Sequence, residues 1–310
     1  MRRGAGITIL AGIVTVMFSS GCGVVSSGPG GGPESAAKVV AKKAIAWKAP
    51  TPSPKPKPKP KVGPTAQQLV TAAVGPLFDA DNDDAGLAVL DLTTSQWVSY
   101  NGNQEFITAS IAKADILSTL LYQAQQAKSS LSAHEQSLAT RMIEDSDNNA
   151  ATALWNDAGE ASGVAAANEV FGLKDTTPGP GIKWGITTTT ANDQIRLLRQ
   201  IFATPSKLSA SSQAYIRHLM YHVSSEQAWG VPVTADSGTD FAVKNGWLPA
   251  PKLWAINSIG SVTHNGDHLL IAVLSHYNYS YGGGISVVQG IAKKAADAVT
   301  SYRPSSSTTG

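Results

Sequence analysis

The dipeptide Asn265-Gly266 places the firmest limit on the topology of this chain. Asn-Gly favours a two-residue β-hairpin turn, because both residues tolerate a positive φ. Strand-type patterns lie on either side of it, at residues 254–262 and 269–276, and a third such pattern, 241–248, precedes them. The C-terminal part of the chain therefore predicts consecutive strands of an antiparallel sheet.

A helical block separates these strands from an earlier strand pair, residues 86–92 and 96–101, which a Thr/Ser turn joins. Helical patterns run from Ser110 to about residue 192, and residues 110–127 carry apolar side chains at steps of three and four. Further helix signals are a capped start at Thr65, a capping box at 132–135, and amphipathic helices at 192–202 and 285–301.

This order of elements predicts an α+β fold. We expect a five-stranded antiparallel sheet flanked by terminal helices, with a helical lobe inserted between its second and third strands. The folded domain is assigned to residues 65–303, preceded by a signal peptide (1–22) and a disordered linker (23–64) and followed by a disordered tail (304–310).

The first 22 residues have the layout of an export signal. Arg2 and Arg3 precede an apolar run, residues 7–18, that is short for a bilayer span, and small residues then lead to Cys22. Cys22 is the only cysteine, which excludes an internal disulfide. The layout resembles a bacterial lipoprotein signal, although Ser19 stands where Leu is usual. It predicts export to the outer face of the cell membrane through lipidated Cys22, with an ordinary secretory signal as the alternative.

The positive charge of the chain lies in the N-terminal segment. Residues 1–64 hold ten of the 24 Lys and Arg residues and one of the 22 acidic residues, so this segment carries about +9 and the remainder about −7. Lys and Pro alternate over residues 55–61, which favours an extended, solvated spacer. Contact of this spacer with anionic wall polymer or lipid is compatible with its charge. The acidic remainder argues against nucleic-acid binding.

Ser110-Ile111-Ala112-Lys113 places a serine and a lysine on one helix face at the predicted helix start. A desolvated lysine amine beside a serine hydroxyl can accept its proton and activate it as a nucleophile. Ser35 and Lys38 have the same spacing in the linker, so the helical context carries the interpretation. A structural helix cap is the alternative role of Ser110.

Ser146-Asp147-Asn148 forms a polar corner between two helical stretches. A second hydroxyl at Ser146 could relay a proton to a leaving group, and the Asn148 amide could bind substrate or position the lysine. A helix-to-helix turn capped by Asp147 and Asn148 is the structural alternative.

Lys244-Asn245-Gly246 lies on the predicted strand 241–248. Lys244 could hold a substrate carboxylate, and Gly246 would allow close approach of the backbone. The amides of Trp247 and Ser110 could together form an oxyanion hole. A polar edge strand is the structural alternative.

The three motifs, in this order, resemble those of the class A β-lactamases and their penicillin-binding relatives over about residues 65–302. The resemblance implies that Ser110 is the acylated nucleophile, Lys113 its base or base partner, Ser146 the proton relay and Lys244 the carboxylate anchor. Asn245 replaces the usual Thr of the family. It also implies a β-lactam, or a peptidoglycan peptide ending in D-Ala, as substrate.

Two regions depart from the family pattern. The helical lobe is trimmed between Ser110 and Ser146. The loop 173–190 lacks the Glu-x-x-Leu-Asn motif that positions the deacylating water, and its only acidic residue is Asp175. We therefore expect slow deacylation, with Asp175 or Glu226 as the candidate substitute bases. A β-lactamase, a DD-peptidase and a non-catalytic lipoprotein that binds wall peptides or a protein partner all remain open.

No metal or cofactor is expected. His218 and His222 share the spacing of one helix face, but no Glu accompanies them and no third ligand has matching spacing.

Overall fold

A computed structural model describes residues 63–78, 84–249 and 253–303 of the chain. The predictions for Cys22, the signal segment, the Lys/Pro spacer and the tail 304–310 concern residues outside these ranges.

The helices and strands follow the predicted order. The helices are α1 (Ala66–Val74), α2 (Ala112–Gln126), α3 (Ala133–Glu144), α4 (Asn148–Asp157), α5 (Glu160–Phe171), α6 (Ala191–Phe202), α7 (Ala210–Tyr221) and α8 (Tyr281–Ser301). The strands are β1 (Ala85–Asp91), β2 (Trp97–Tyr100), β3 (Glu105–Ile107), β4 (Thr188–Thr190), β5 (Ala242–Pro249), β6 (Trp254–His264) and β7 (Asp267–Asn278).

The five long strands form one antiparallel sheet in the order β2-β1-β7-β6-β5. Asn265 and Gly266 connect β6 to β7 with φ values of 50° and 80°, as a two-residue hairpin requires. The predicted α+β class, the five-stranded sheet and the insertion of the helical lobe between its second and third strands are confirmed. Strand β5 forms one edge of this sheet.

Two apolar cores cover the two faces of the sheet, because side chains alternate along each strand. On β1, Ala88 and Leu90 belong to the core shared with the helical lobe, whereas Leu87 and Val89 belong to the core shared with α1 and α8. The central strands are therefore buried on both faces, and the site described below lies on the lobe side.

Side-chain caps begin two helices where the sequence predicts them. Thr65 and Ser132 each form a complete capping box at the start of α1 and α3. No helix within the described ranges is long and apolar enough to cross a membrane.

The sequence patterns missed a second, two-stranded sheet. Strands β3 and β4 pair antiparallel, with Phe106 opposite Thr189. Each strand has three residues, which is too short for a periodic signal. This small sheet joins the segment before Ser110 to the end of the loop 173–190, so it brings both regions to the same side of the lobe.

Candidate active site

Ser110 lies in a 3₁₀ turn, Ala109–Ile111, immediately before α2. The α-helix therefore begins two residues later than the sequence predicts, and its N-cap is Ile111, which makes no side-chain cap bond. Ser110 is thus not a helix cap. Ala109 has a φ of 48°, a costly conformation for a non-glycine residue that fixes the direction of the next side chain.

Lys113 contacts four oxygen atoms with its amine. Nζ lies 3.0 Å from Oγ of Ser110, 3.0 Å from Oγ of Ser146 and 2.8 Å from Oδ1 of Asn148, and it also contacts the Ser146 carbonyl. A neutral amine has two hydrogens and one lone pair. It can donate to the carbonyl and amide oxygens, which only accept, and still accept a hydrogen bond from a serine hydroxyl. The arrangement therefore suits a base beside Ser110.

Burial favours the neutral form of the Lys113 amine. The residue has no exposed surface, and desolvation lowers the pKa of its amine to about 7, against a smaller opposing effect of the Asp147 carboxylate. A substantial neutral fraction is then present near neutral pH, as a general base requires.

Ser146 occupies the corner between α3 and α4 with a φ of 58°. Asp147 caps α4 by accepting from the amides of Asn149 (2.7 Å) and Ala150 (3.0 Å), and these bonds lower the pKa of its carboxyl. Asn148 is the first residue of α4. The predicted helix-to-helix turn is therefore present, and it also directs Ser146 and Asn148 to Lys113.

Lys244 reaches the same corner from β5. Its Nζ lies 3.0 Å from Oγ of Ser146 and 3.3 Å from Oε1 of Gln227. The side chain is fully buried, and burial together with the nearby charge of Lys113 lowers the pKa of its amine well below its usual value. Two lysines thus share one serine hydroxyl.

Gly246 allows β5 to approach the turn that carries Ser110. A Cβ atom at this position would lie 2.6 Å from the Thr108 carbonyl oxygen and 2.8 Å from the backbone nitrogens of Ser110 and Ile111. The predicted close approach therefore involves the backbone of the turn that carries Ser110. The next residue along β5 is Trp247, whose ring packs 5.8 Å from that of Tyr281.

Asn245 points to a loop rather than to this group of residues. Its Nδ2 donates to the carbonyls of Gln227 (2.7 Å) and Trp229 (3.0 Å), and only 1% of the residue is exposed. Oδ1 of Asn245 is buried without a hydrogen-bond partner. In this structure the residue that replaces the family's Thr stabilises the segment that carries Gln227.

Asn257 is a supporting residue that sequence reasoning missed. From the interior of β6 its Nδ2 donates to the carbonyls of Ile107 (2.8 Å) and Thr108 (3.0 Å), and its Oδ1 accepts from the amide of Ser275. It ties the strand that leads to Ser110 to the large sheet. An asparagine, a residue type depleted in strands, inside the predicted strand 254–262 was the available signal.

The loop 173–190 is held by a buried carboxylate and by two tryptophans. Asp193 accepts from the amides of Lys174 (3.1 Å) and Asp175 (2.7 Å). Trp155 Nε1 donates to the Gly181 carbonyl at 2.8 Å, and the ring of Trp184 lies over Lys113. These anchors also escaped sequence reasoning, because each joins positions distant in the chain.

The acidic candidates lie at the protein surface. Asp175 and Glu226 are both exposed. Within the described ranges, no carboxylate lies within 4.0 Å of the amine of Lys113 or Lys244. No group of three or more His, Cys, Asp or Glu residues suited to a metal ion occurs there either.

Comparison with known families adds a match over most of the folded domain. A family model described as the beta-lactamase enzyme family matches residues 68–135 and 133–299, about three quarters of the chain. Two mycobacterial proteins, from Mycobacterium tuberculosis and Mycobacterium bovis, are both named "Putative lipoprotein LppW". They are 37% identical to this chain over 111 residues, which is 36% of this chain and 35% of theirs.

Solved structures share the fold at low sequence identity. A class A β-lactamase from Bacteroides cellulosilyticus superposes with a TM-score of 0.65 and 17% identity, covering 77% of this chain and 100% of the other. A variant of PBP-A, solved as an acyl-enzyme complex with penicillin G, gives 0.63 and 20%, covering 76% and 97%. At these sequence identities the structural similarity shows a shared fold and nothing further about this chain.

Proposed function

The chain belongs to the β-lactamase enzyme family, and we propose that it is a serine acyl-transfer hydrolase acting through an acyl-enzyme on Ser110. Its substrates are β-lactams, peptidoglycan peptides ending in D-Ala, or both. The observation that carries this proposal is the position of the buried Lys113 amine, 3.0 Å from Oγ of both Ser110 and Ser146.

In the acylation step, Oγ of Ser110 attacks the substrate carbonyl carbon while its proton passes to neutral Lys113. The amides of Ser110 and Trp247 stabilise the oxyanion. As the tetrahedral intermediate collapses, the carbon–nitrogen bond breaks and the leaving nitrogen takes a proton from the hydroxyl of Ser146. Lys113 returns its proton to Ser146, so every proton is accounted for.

Lys244 and Asn148 hold the reactants. A substrate carboxylate near Lys244 would favour the charged form of its amine, opposing the desolvation that lowers its pKa. Asn148 orients Lys113 through the 2.8 Å contact of its Oδ1. Gly246 and Asn245 act on the shape of the site, the first through the turn of Ser110 and the second through the loop that carries Gln227.

Deacylation is the slow step of this cycle. Water needs a positioned base to attack the ester, and such a base typically contributes about 10²–10⁴-fold. Asp175, the only acidic residue of the loop 173–190, is exposed, and its amide is bound to Asp193. The ester on Ser110 is therefore expected to persist.

Covalent labelling with a fluorescent penicillin tests the proposal. Label should appear on the wild-type protein, disappear in Ser110→Ala and fall steeply in Lys113→Ala. Ser286→Ala, at an exposed serine of α8, is the matched control and should label normally. Undiminished labelling of Ser110→Ala would remove the nucleophile from this site.

A non-catalytic lipoprotein that binds wall peptides or a protein partner is the second candidate. The engagement of Asn245 with the loop at Gln227, together with the exposed position of Asp175, favours it. A wild-type protein that binds a D-Ala-terminated peptide but never forms an adduct at Ser110 would support this candidate over the enzyme.

We further propose that the mature protein is exported and held at the outer face of the cell membrane by lipidated Cys22. The signal layout supports this, and so does the name of the LppW relatives, whose match covers 35% of their length. Residues 23–64 then serve as a spacer whose lysines can contact anionic wall polymer or lipid, residues 65–303 as the hydrolase domain, and 304–310 as a tail.

A further inference from the structure

The indole of Trp184 covers the amine of Lys113. The distance from Nζ to the ring centroid is 4.9 Å, within the range of a cation–π contact. Nε1 of Trp184 donates to Oγ1 of Thr152 on α4 at 3.1 Å, and only 8% of the residue is exposed. The ring is therefore held in place by α4 and is largely withdrawn from water.

The other contacts of this amine are all oxygen atoms of Ser110, Ser146 and Asn148. Trp184 adds an apolar surface to this polar set. An indole ring can desolvate an amine and attract its charged form, but it cannot accept a proton from water. The side of Lys113 that faces the loop 173–190 is thus covered by a group that offers no base.

We propose that Trp184 is a positioning residue that keeps Lys113 dehydrated and excludes water from the ester on Ser110. The proposal rests on the acyl-enzyme function given above. Hydrolysis requires a water oxygen to attack the ester carbon and lose its proton to a base, after which Ser110 leaves and is protonated. Trp184 blocks the approach of that water, so it prolongs the life of the acyl-enzyme without slowing its formation.

Trp155 is a matched control for this role. It anchors the same loop with a similar bond, from Nε1 to the Gly181 carbonyl at 2.8 Å, and it is 1% exposed. Among the described aromatic residues, however, Trp184 is the one whose ring lies over the Lys113 amine. Loosening of the loop 173–190 would follow from substitution of either tryptophan. Loss of the ring over the Lys113 amine would follow only from substitution of Trp184.

The first arm of the test follows Lys113 directly. Side-chain NMR of lysine-labelled protein measures the titration of the Lys113 amine in wild type and in Trp184→Ala, Trp184→Phe and Trp155→Phe. This measurement does not depend on whether an acyl-enzyme forms. Trp184→Ala admits water and removes the ring attraction, and because burial is the largest effect on this group, we expect its pKa to rise by about one unit. Trp184→Phe and Trp155→Phe should titrate like wild type.

The second arm measures the lifetime of the penicillin adduct by intact mass spectrometry. Trp184→Ala should shorten it by about tenfold, a change of one decade in the rate of deacylation. Trp184→Phe and Trp155→Phe should retain it. If Trp184→Ala does not fold, Trp184→Gln takes its place, since it removes the ring, fills part of its volume with a polar side chain that admits water, and should change both quantities in the same direction.

The proposal would be overturned if Trp184→Ala, or Trp184→Gln where that variant replaces it, showed the Lys113 titration and the adduct lifetime of the wild type. Equal effects in Trp155→Phe would also overturn it, since they would assign the change to the loop as a whole. A wild-type protein that never forms an adduct would instead overturn the acyl-enzyme function, and the NMR arm would still decide whether Trp184 covers Lys113.

Discussion

Lys113 and Lys244 both lie 3.0 Å from one oxygen atom, Oγ of Ser146. Two charged ammonium groups so close together repel each other, which contributes to the lowered pKa of Lys244. The shared hydroxyl can accept from both amines and still donate its own hydrogen to a third group. In the proposed mechanism this third group is the leaving nitrogen of the substrate, so Ser146 connects it to Lys113.

The rate of acylation should rise as pH increases through about 7. The pKa of Lys113 is lowered to about 7, so its neutral form, which accepts the proton of Ser110, dominates above that pH and is lost below it. For one titrating group, the rate constant increases about tenfold between about pH 6 and pH 8. Stopped-flow acylation with a chromogenic cephalosporin measures this profile.

Asp115 provides the control for this profile. It is buried on α2, and desolvation raises the pKa of its carboxyl to about 7, against the opposing hydrogen bond from Asn168. Asp115→Asn removes this second group without touching the amine. The profile should persist in Asp115→Asn, and its disappearance there would assign the titration to the carboxyl instead of Lys113.

Gly246→Ala should strongly reduce labelling of Ser110. The added Cβ would meet the Thr108 carbonyl oxygen at 2.6 Å, and backbone cannot give way as a flexible side chain can. We expect labelling to fall by about a hundredfold, as when a reacting group is displaced by about 1 Å. Gly290→Ala in α8 is the control, because nothing lies within 4 Å of its added Cβ. A Gly246→Ala protein that labels normally would contradict the close approach of β5.

Asn245→Thr should destabilise the protein, although it introduces the residue usual in the family. Threonine cannot reproduce both bonds from Nδ2 to the carbonyls of Gln227 and Trp229, and a buried acceptor left unpaired costs about 1–3 kcal/mol. Denaturant unfolding should show this loss, whereas Asn149→Thr at an exposed site should change the free energy of unfolding by less than about 0.5 kcal/mol. Unchanged stability of Asn245→Thr would mean that the two bonds contribute nothing net.

Turnover of a chromogenic cephalosporin should begin with a burst of about one equivalent and continue slowly. The missing base in the loop 173–190 corresponds to roughly 3–5 kcal/mol of barrier to deacylation. Rapid steady turnover with no burst and no trapped adduct would contradict this prediction. It would require a base for deacylation other than the exposed Asp175 and Glu226.

Cys22→Ala should release the protein from the membrane fraction. A single acyl chain anchors weakly, so stable retention needs more than one chain on this cysteine. Loss of the anchor is measured by two assays: the sensitivity of signal-peptide processing to globomycin, and the partitioning of the protein into detergent. Processing and partitioning identical to wild type would exclude the lipoprotein anchor and favour an ordinary secretory signal.

The sequence by itself determined the order of the helices and of the five long strands, and it identified the candidate groups. The hairpin at Asn265-Gly266 and the capping boxes at Thr65 and Ser132 are local devices, so a few neighbouring residues specify them. The spacing of Ser110 and Lys113 is local as well, and their 3.0 Å contact follows from one turn of chain.

Only the tertiary structure decided which distant groups meet. Ser146 is 33 residues from Lys113 and 98 from Lys244, and their meeting depends on how the lobe packs against β5. The direction of Asn245 and the cover provided by Trp184 depend on the same packing. The lowered pKa of Lys113 has this origin too, because desolvation is produced by every group that excludes water from the amine and by no single neighbour in the sequence.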